Sequence, residues 1–148
     1  MEEVEVDRGA GVIFLAKSSS RILLNQRSGI CHDPHTWGCW GGAANPTESP
    51  KETAIREARE ESGYKGEGTM ILIQVSEKDS FTFFNYLAII EDEFTPVLCD
   101  ESVDYQWCSY GQWPDPLHFG IQRLLDDPKS REIIEDYVAK NSPTPPTV

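Results

Sequence analysis

A pair of end signals bounds one helix in this chain before any other element can be placed. Ser49 is suited to cap it, Pro50 to fill its first position, and Glu52 completes a Ser-x-x-Glu capping box. Gly63 stands where a left-handed residue ends a helix, so the segment runs from Pro50 to Ser62. On a wheel of about 100° per residue with Glu57 at zero, Glu61 falls at about 40° and Glu60 at about -60°. Three carboxylates therefore share one face. Ala54, Ala58 and Ile55 form a small-residue seam that can press on a sheet. Carboxylates at i, i+3 and i+4 repel one another unless a cation sits among them, or unless Lys51, Arg56 and Arg59 balance a solvated face. Just upstream, Gly41 and Gly42 offer backbone that can approach a ligand or lend a carbonyl oxygen. Hard oxygen donors of this kind suit Mg2+ or Mn2+.

The net charge of -12 gives those carboxylates a context. An acidic surface repels phosphate backbones and anionic lipid, which argues against an extended nucleic-acid surface or membrane docking. A phosphate-bearing small molecule would need a divalent cation to reverse the repulsion locally. No apolar run approaches the ~20 residues that cross a bilayer, and Met1 to Asp7 is acidic rather than leader-like. The expectation is a cytoplasmic protein acting as a monomer or homodimer, its cysteines kept as thiols. Cys31, His32, His35 and Cys39 lie close enough to suggest zinc, but their spacing fits no common structural zinc pattern, and a polar loop with a buried Cys39 is preferred.

The rest of the chain reads as strands around this helix. Gly9 to Lys17 carries a nearly continuous apolar run, and Arg21 to Gln26 pairs back on it as a hairpin. Trp37 to Ala44 is a compact glycine-containing stretch. Thr69 to Val75, Phe81 to Ile90 and a short piece around Trp107 read as strands, and Leu117 to Leu125 and Ser130 to Ala139 as helices. This order predicts a mixed α/β/α sandwich, one domain over residues 1–140 with a flexible tail over 141–148.

From Gly42 to Tyr64 the chain reads G-A-A-N-P-T-E-S-P-K-E-T-A-I-R-E-A-R-E-E-S-G-Y, which resembles the Nudix hydrolase signature. Gly42, Glu48, Arg56, Glu57, Glu60, Glu61 and Gly63 all stand at its spacings. Ala58 and Tyr64 replace its usual large aliphatics, and Trp40 stands where proline often precedes Gly-Gly. Val12 to Arg27 resembles the family's first hairpin, and Glu101 to Trp107 its late acidic loop, so the likeness covers roughly residues 8 to 125. It implies a Nudix-type α/β/α sandwich with a mixed central sheet. It also implies a hydrolase that cleaves a diphosphate linkage in a nucleotide with Mg2+ or Mn2+. Nucleoside diphosphate derivatives (ADP-ribose, NADH or dinucleoside polyphosphates) and (d)NTPs are the substrate classes it suggests.

Carried over residue by residue, the resemblance makes Glu57 and Glu61 the principal metal ligands, with Glu60 assisting and the Gly41 carbonyl completing the shell. Arg56 would orient Glu48 or Glu57. The general base is a helix glutamate (Glu60 or Glu57) or Glu101 on the late loop, with Asp100 and Asp104 as its neighbours. For the organic half of the substrate, Arg27 is a phosphate contact, and Trp40 and Phe84 are stacking candidates beside Trp37 and Tyr86. Strand alternation separates Phe84 and Tyr86 from Phe81 and Phe83 without saying which face meets the ligand. A silent Nudix-fold module that senses a nucleotide is the competing class. Such modules usually lose a helix glutamate, and here all are kept.

Overall fold

The computed structural model describes residues 7–141; the acidic Met1–Val6 and most of the expected tail lie outside them. Asn141 itself closes the last helix, its amide donating to the Tyr137 carbonyl at 2.8 Å.

The first strand, β1 (Asp7–Ala16), is buried from Gly9 onward. Its apolar run is continuous because both faces are covered. Ile13 and Leu15 point into one core with Leu24, Leu87, Ile121 and Leu124. Ala10, Val12 and Phe14 point into a second, with Trp40, Ala54 and Tyr86. Period-two alternation along one strand thus builds both layers of the sandwich. On one side of β1 runs β6 (Phe81–Ile90), parallel over its whole length and followed by the antiparallel β5 (Thr69–Lys78). The other ladders are antiparallel, so the sheet is mixed as expected.

On its other side β1 forks. It pairs with β2 (Ile22–Arg27) only at Phe14 and Leu15, and from Gly9 to Val12 it pairs instead with β4 (Trp40–Ala43). The short β3 (Trp37–Gly38) joins the free end of β2, whose opposite edge takes β7 (Ser102–Cys108). The stretch read as merely compact is therefore two strands with different partners. Their glycines make the fit possible: a Cβ on Gly41 would lie 2.5 Å from both the Ala10 oxygen and the Gly11 Cα.

Against the second core lies α1 (Pro50–Ser62). Ser49 caps it, the capping box is closed by Glu52, and Gly63 ends it at φ +73°. Its buried arc comprises Thr53, Ala54, Ala58, Glu61 and Ser62. Two helices cover the first core, α2 (Phe119–Asp126) and α3 (Pro128–Asn141), starting within two residues of the expected positions. His118 caps α2, its Nδ1 accepting from the Gly120 N–H at 3.0 Å. No described helix is long and apolar enough to cross a membrane.

Candidate active site

Arg56 organises the acidic face of α1, using each of its five N–H donors. Nε and Nη2 clamp the two oxygens of Glu48 at 2.7 and 2.9 Å, a bidentate pair. Nη1 donates to Glu57 at 2.9 Å and Glu60 at 3.2 Å, and Nη2 also reaches the Ala43 carbonyl at 3.0 Å. These bonds tie the helix to the end of β4. The Arg56 guanidinium, with the Asn45 N–H, holds the Glu48 carboxyl down at about 2, so it stays ionised.

Glu57 and Glu61 turn inward. A Cβ on Gly42 would meet the Glu57 carboxylate at 2.7–2.9 Å, so only glycine leaves that carboxylate its place. Burial raises the Glu57 carboxyl and the Arg56 hydrogen bond opposes it. Glu61 is the stronger case. It is 8% exposed, and its Oε2 has no hydrogen-bond partner. Burial pushes its carboxyl up to about 9, with a hydrogen bond to Glu101 and the charges of Glu57 and Glu101 adding to it. The helix and the late loop thus bring the Glu61 carboxyl close to Glu101, whose proximity adds to the rise that burial imposes on Glu61. Glu60 instead remains outside, its side chain 58% exposed.

This acidic corner is the end of a cleft of about 710 Å³ on the α2 side of the sheet. Gly41, Gly42, Glu61 and Glu101 line that end. Arg27 lies on the wall, its Nε donating to the His32 carbonyl at 2.7 Å. Elsewhere the lining is mixed and includes Asp33 and Asp79 as well as Phe81, Phe83 and Phe119, with Lys78 and Arg123 each over the Phe119 ring at 5.2 and 5.4 Å. Phe81 and Phe83 stack on each other with centroids 6.3 Å apart. Asn25, Asn85 and His118 also face the cleft. Burial and the nearby Arg27 lower His118, so its Nδ1 remains an acceptor for the cap, and Nε2 stands 3.6 Å from Asp33.

Two residues assigned to the ligand by sequence are elsewhere. Trp40 is fully buried beneath α1, its Nε1 donating to the Leu23 carbonyl at 3.2 Å and its ring against Phe14, so no ligand can stack on it. Phe84 packs on the same core, because alternation along β6 sends it to the α1 face. The aromatics that reach the cleft are Phe81 and Phe83 from the opposite face, with Phe119 of α2. Asn85 was overlooked although the strand reads F-T-F-F-N-Y-L-A-I-I, in which an amide amid apolar residues is the anomaly. Phe119, Lys78 and Arg123 carried no such signal, since only the tertiary fold brings them together.

Among the described residues, no three histidine, cysteine or acidic side chains already stand in a coordination arrangement, the Cys31–Cys39 stretch included. The acidic corner nonetheless has the chemistry that a divalent cation fits. Glu61 Oε2 is an orphaned buried oxygen, the Glu101 charge acts on the same carboxyl, and Gly42 leaves space that Glu57 fills. Hard oxygen donors crowded in this way are stabilised by a divalent cation in place of the proton.

Comparison with known proteins agrees with this layout. The chain is 32% identical to a Mycobacterium tuberculosis (strain CDC 1551 / Oshkosh) protein provisionally named 8-oxo-dGTP diphosphatase 3, over 72% of this chain and 55% of that protein. It thus spans about half the length of that relative. It is 31% identical to the dihydroneopterin triphosphate diphosphatase of Haemophilus influenzae, over 66% of this chain and 71% of the relative. The fold matches the crystal structure of a MutT NUDIX hydrolase from Burkholderia pseudomallei with a TM-score of 0.68 at 22% identity, covering 89% of this chain and 98% of that one. The NUDIX domain model matches residues 6–135. With the signature helix capped and placed as described, the chain belongs to the Nudix family.

Proposed function

We propose that this chain is a metal-dependent pyrophosphohydrolase that cleaves the diphosphate linkage of a nucleoside triphosphate carrying a fused heterocycle. The observation that carries the reading is Glu61, a buried carboxyl with one orphaned oxygen beside Glu101, in a cleft that also holds Phe81, Phe83 and Phe119. The relatives named for 8-oxo-dGTP and dihydroneopterin triphosphate support a triphosphate joined to a fused ring.

Glu57, Glu61 and the Gly41 carbonyl would hold Mg2+ or Mn2+, with Glu60 assisting only from the exposed rim. When bound, the cation supplies positive charge that neutralises the phosphate oxygens as the linkage breaks. The chain's own residues do the rest. Arg56 fixes the Glu57 carboxylate and keeps Glu48 ionised. Glu101, on a loop rather than locked by Arg56, would take a proton from the attacking water at a carboxylate oxygen. Arg27 meets the phosphates along the cleft wall, and Phe83 and Phe119 receive the ring.

The reading is tested by incubating the protein with Mg2+ and a panel of nucleoside triphosphates, ADP-ribose, NADH and dinucleoside polyphosphates, then resolving the products. Turnover of triphosphates that E61Q lowers by orders of magnitude supports it. Tight nucleotide binding without turnover across the panel would mark a sensor instead.

A further inference from the structure

Asn85 lines the cleft, and the reading above does not use its chemistry. It sits in the middle of β6, opposite Gly11 of β1 and Gln74 of β5, on the face that carries Phe81 and Phe83. It is 5% exposed, and its amide makes no hydrogen bond to any described residue. Its polar atoms are also absent from the fully enclosed orphans, which are Glu61 Oε2 and Gln74 Oε1. The small exposure that remains therefore opens into the cleft. Burying an amide without a partner costs about 1–3 kcal/mol, so an apolar residue would serve the core better unless a ligand supplies the bonds. Its neighbour Asn25 differs in this respect, because its Nδ2 is already committed to the Cys39 carbonyl at 2.7 Å.

We propose that Asn85 reads the edge of the substrate's heterocycle and so decides which base the cleft accepts. A carboxamide offers a donor and an acceptor side by side. It is complementary to an edge with an adjacent acceptor and donor, as on the cyclic amide of an oxopurine or the aminopyrimidine edge of adenine. The aromatic walls set the ring plane, and Asn85 selects within it. Gly9 and Gly11, the latter paired with Asn85, keep β1 from crowding this face: a Cβ at Gly9 would strike the Phe81 and Phe83 rings at 2.8 and 3.1 Å, and one at Gly11 the Cys39 Sγ at 2.9 Å. This inference rests on the nucleotide reading above but does not require catalysis.

The experiment is therefore equilibrium binding by calorimetry, with GMP, AMP and ribose 5-phosphate titrated into the wild type, N85L and N85D. N85L keeps the branched skeleton, with bulkier methyl ends, and removes both polar atoms; N85D keeps the shape and an acceptor and removes the donor. The expected result is a loss of about 10- to 100-fold in N85L for whichever of GMP or AMP binds the wild type. A smaller loss is expected in N85D, and an unchanged affinity for ribose 5-phosphate in both. Equal affinity of the wild type and both variants for the base-bearing ligands overturns the proposal. So does a wild type that binds neither GMP nor AMP, or a matching loss for ribose 5-phosphate, which would mark a structural role. Failure of the hydrolase reading looks different, since the base-dependent binding would persist while wild-type turnover was absent.

Discussion

Replacing Glu61 with glutamine should stabilise the metal-free protein while removing its function. The Glu61 carboxyl rises from an ordinary 4.5 to about 9 in the folded chain, chiefly through burial and then through Glu101 and Glu57. A carboxyl raised in this way favours folding fully below pH 4.5 and loses that contribution as pH climbs toward 9. At pH 7 the folded state must take up a proton that the unfolded chain released 2.5 units lower, which costs about 3 kcal/mol at roughly 1.4 kcal/mol per unit. The side chain is only 8% exposed, so solvent screening removes little of this. A glutamine mimics the protonated form without the proton uptake. In EDTA, calorimetric melts from pH 4 to 9 should show E61Q melting roughly 10 °C above the wild type near neutrality. The gap should close below pH 4.5, where both chains carry a neutral group. Mg2+ should then raise the wild-type melting temperature and leave that of E61Q nearly unmoved. Identical melts at neutral pH, or a gap indifferent to pH, would refute the strained-carboxyl account.

Two other substitutions separate the site from the scaffold. W40A should lower stability by about 3–5 kcal/mol in denaturant melts, because the ring is fully buried against Phe14, and should leave KM nearly unchanged at temperatures where it is folded. G42A should fold but lose at least about tenfold in kcat/KM with a matching rise in the Mg2+ requirement. Its Cβ would press at 2.7 Å on the Glu57 carboxylate that Arg56 already pins.

What could be read in advance follows the range of the interactions. The helix was legible at both ends because Ser49, Pro50, Glu52 and Gly63 act within a few residues of one another. The mixed sandwich followed from the order of elements, and β6 was delimited from its apolar run alone. The fork of β1 was not legible, since Gly9 to Ala43 pairing joins segments distant in sequence and leaves no periodic mark. Trp40 and Phe84 were misplaced for the same reason. Alternation says which residues share a face, while only the position of α1 says that their face is the buried one. Glu60 shows the limit of a helical wheel: at about -60° from Glu57 it belongs to the same face, yet it sits past the rim where solvent begins. Phe119, Lys78 and Arg123 meet only because α2 folds back over the end of the strands.

The central claim is that the carboxyls around Glu61 serve to break a diphosphate linkage. The direct measurement is product analysis after incubation of the wild type with a nucleoside triphosphate, with Mg2+ and then with EDTA. The account predicts a nucleoside monophosphate and pyrophosphate in Mg2+, and no turnover once the cation is removed. Undiminished turnover in EDTA, or no turnover in Mg2+ of any diphosphate-linked nucleotide, would contradict it.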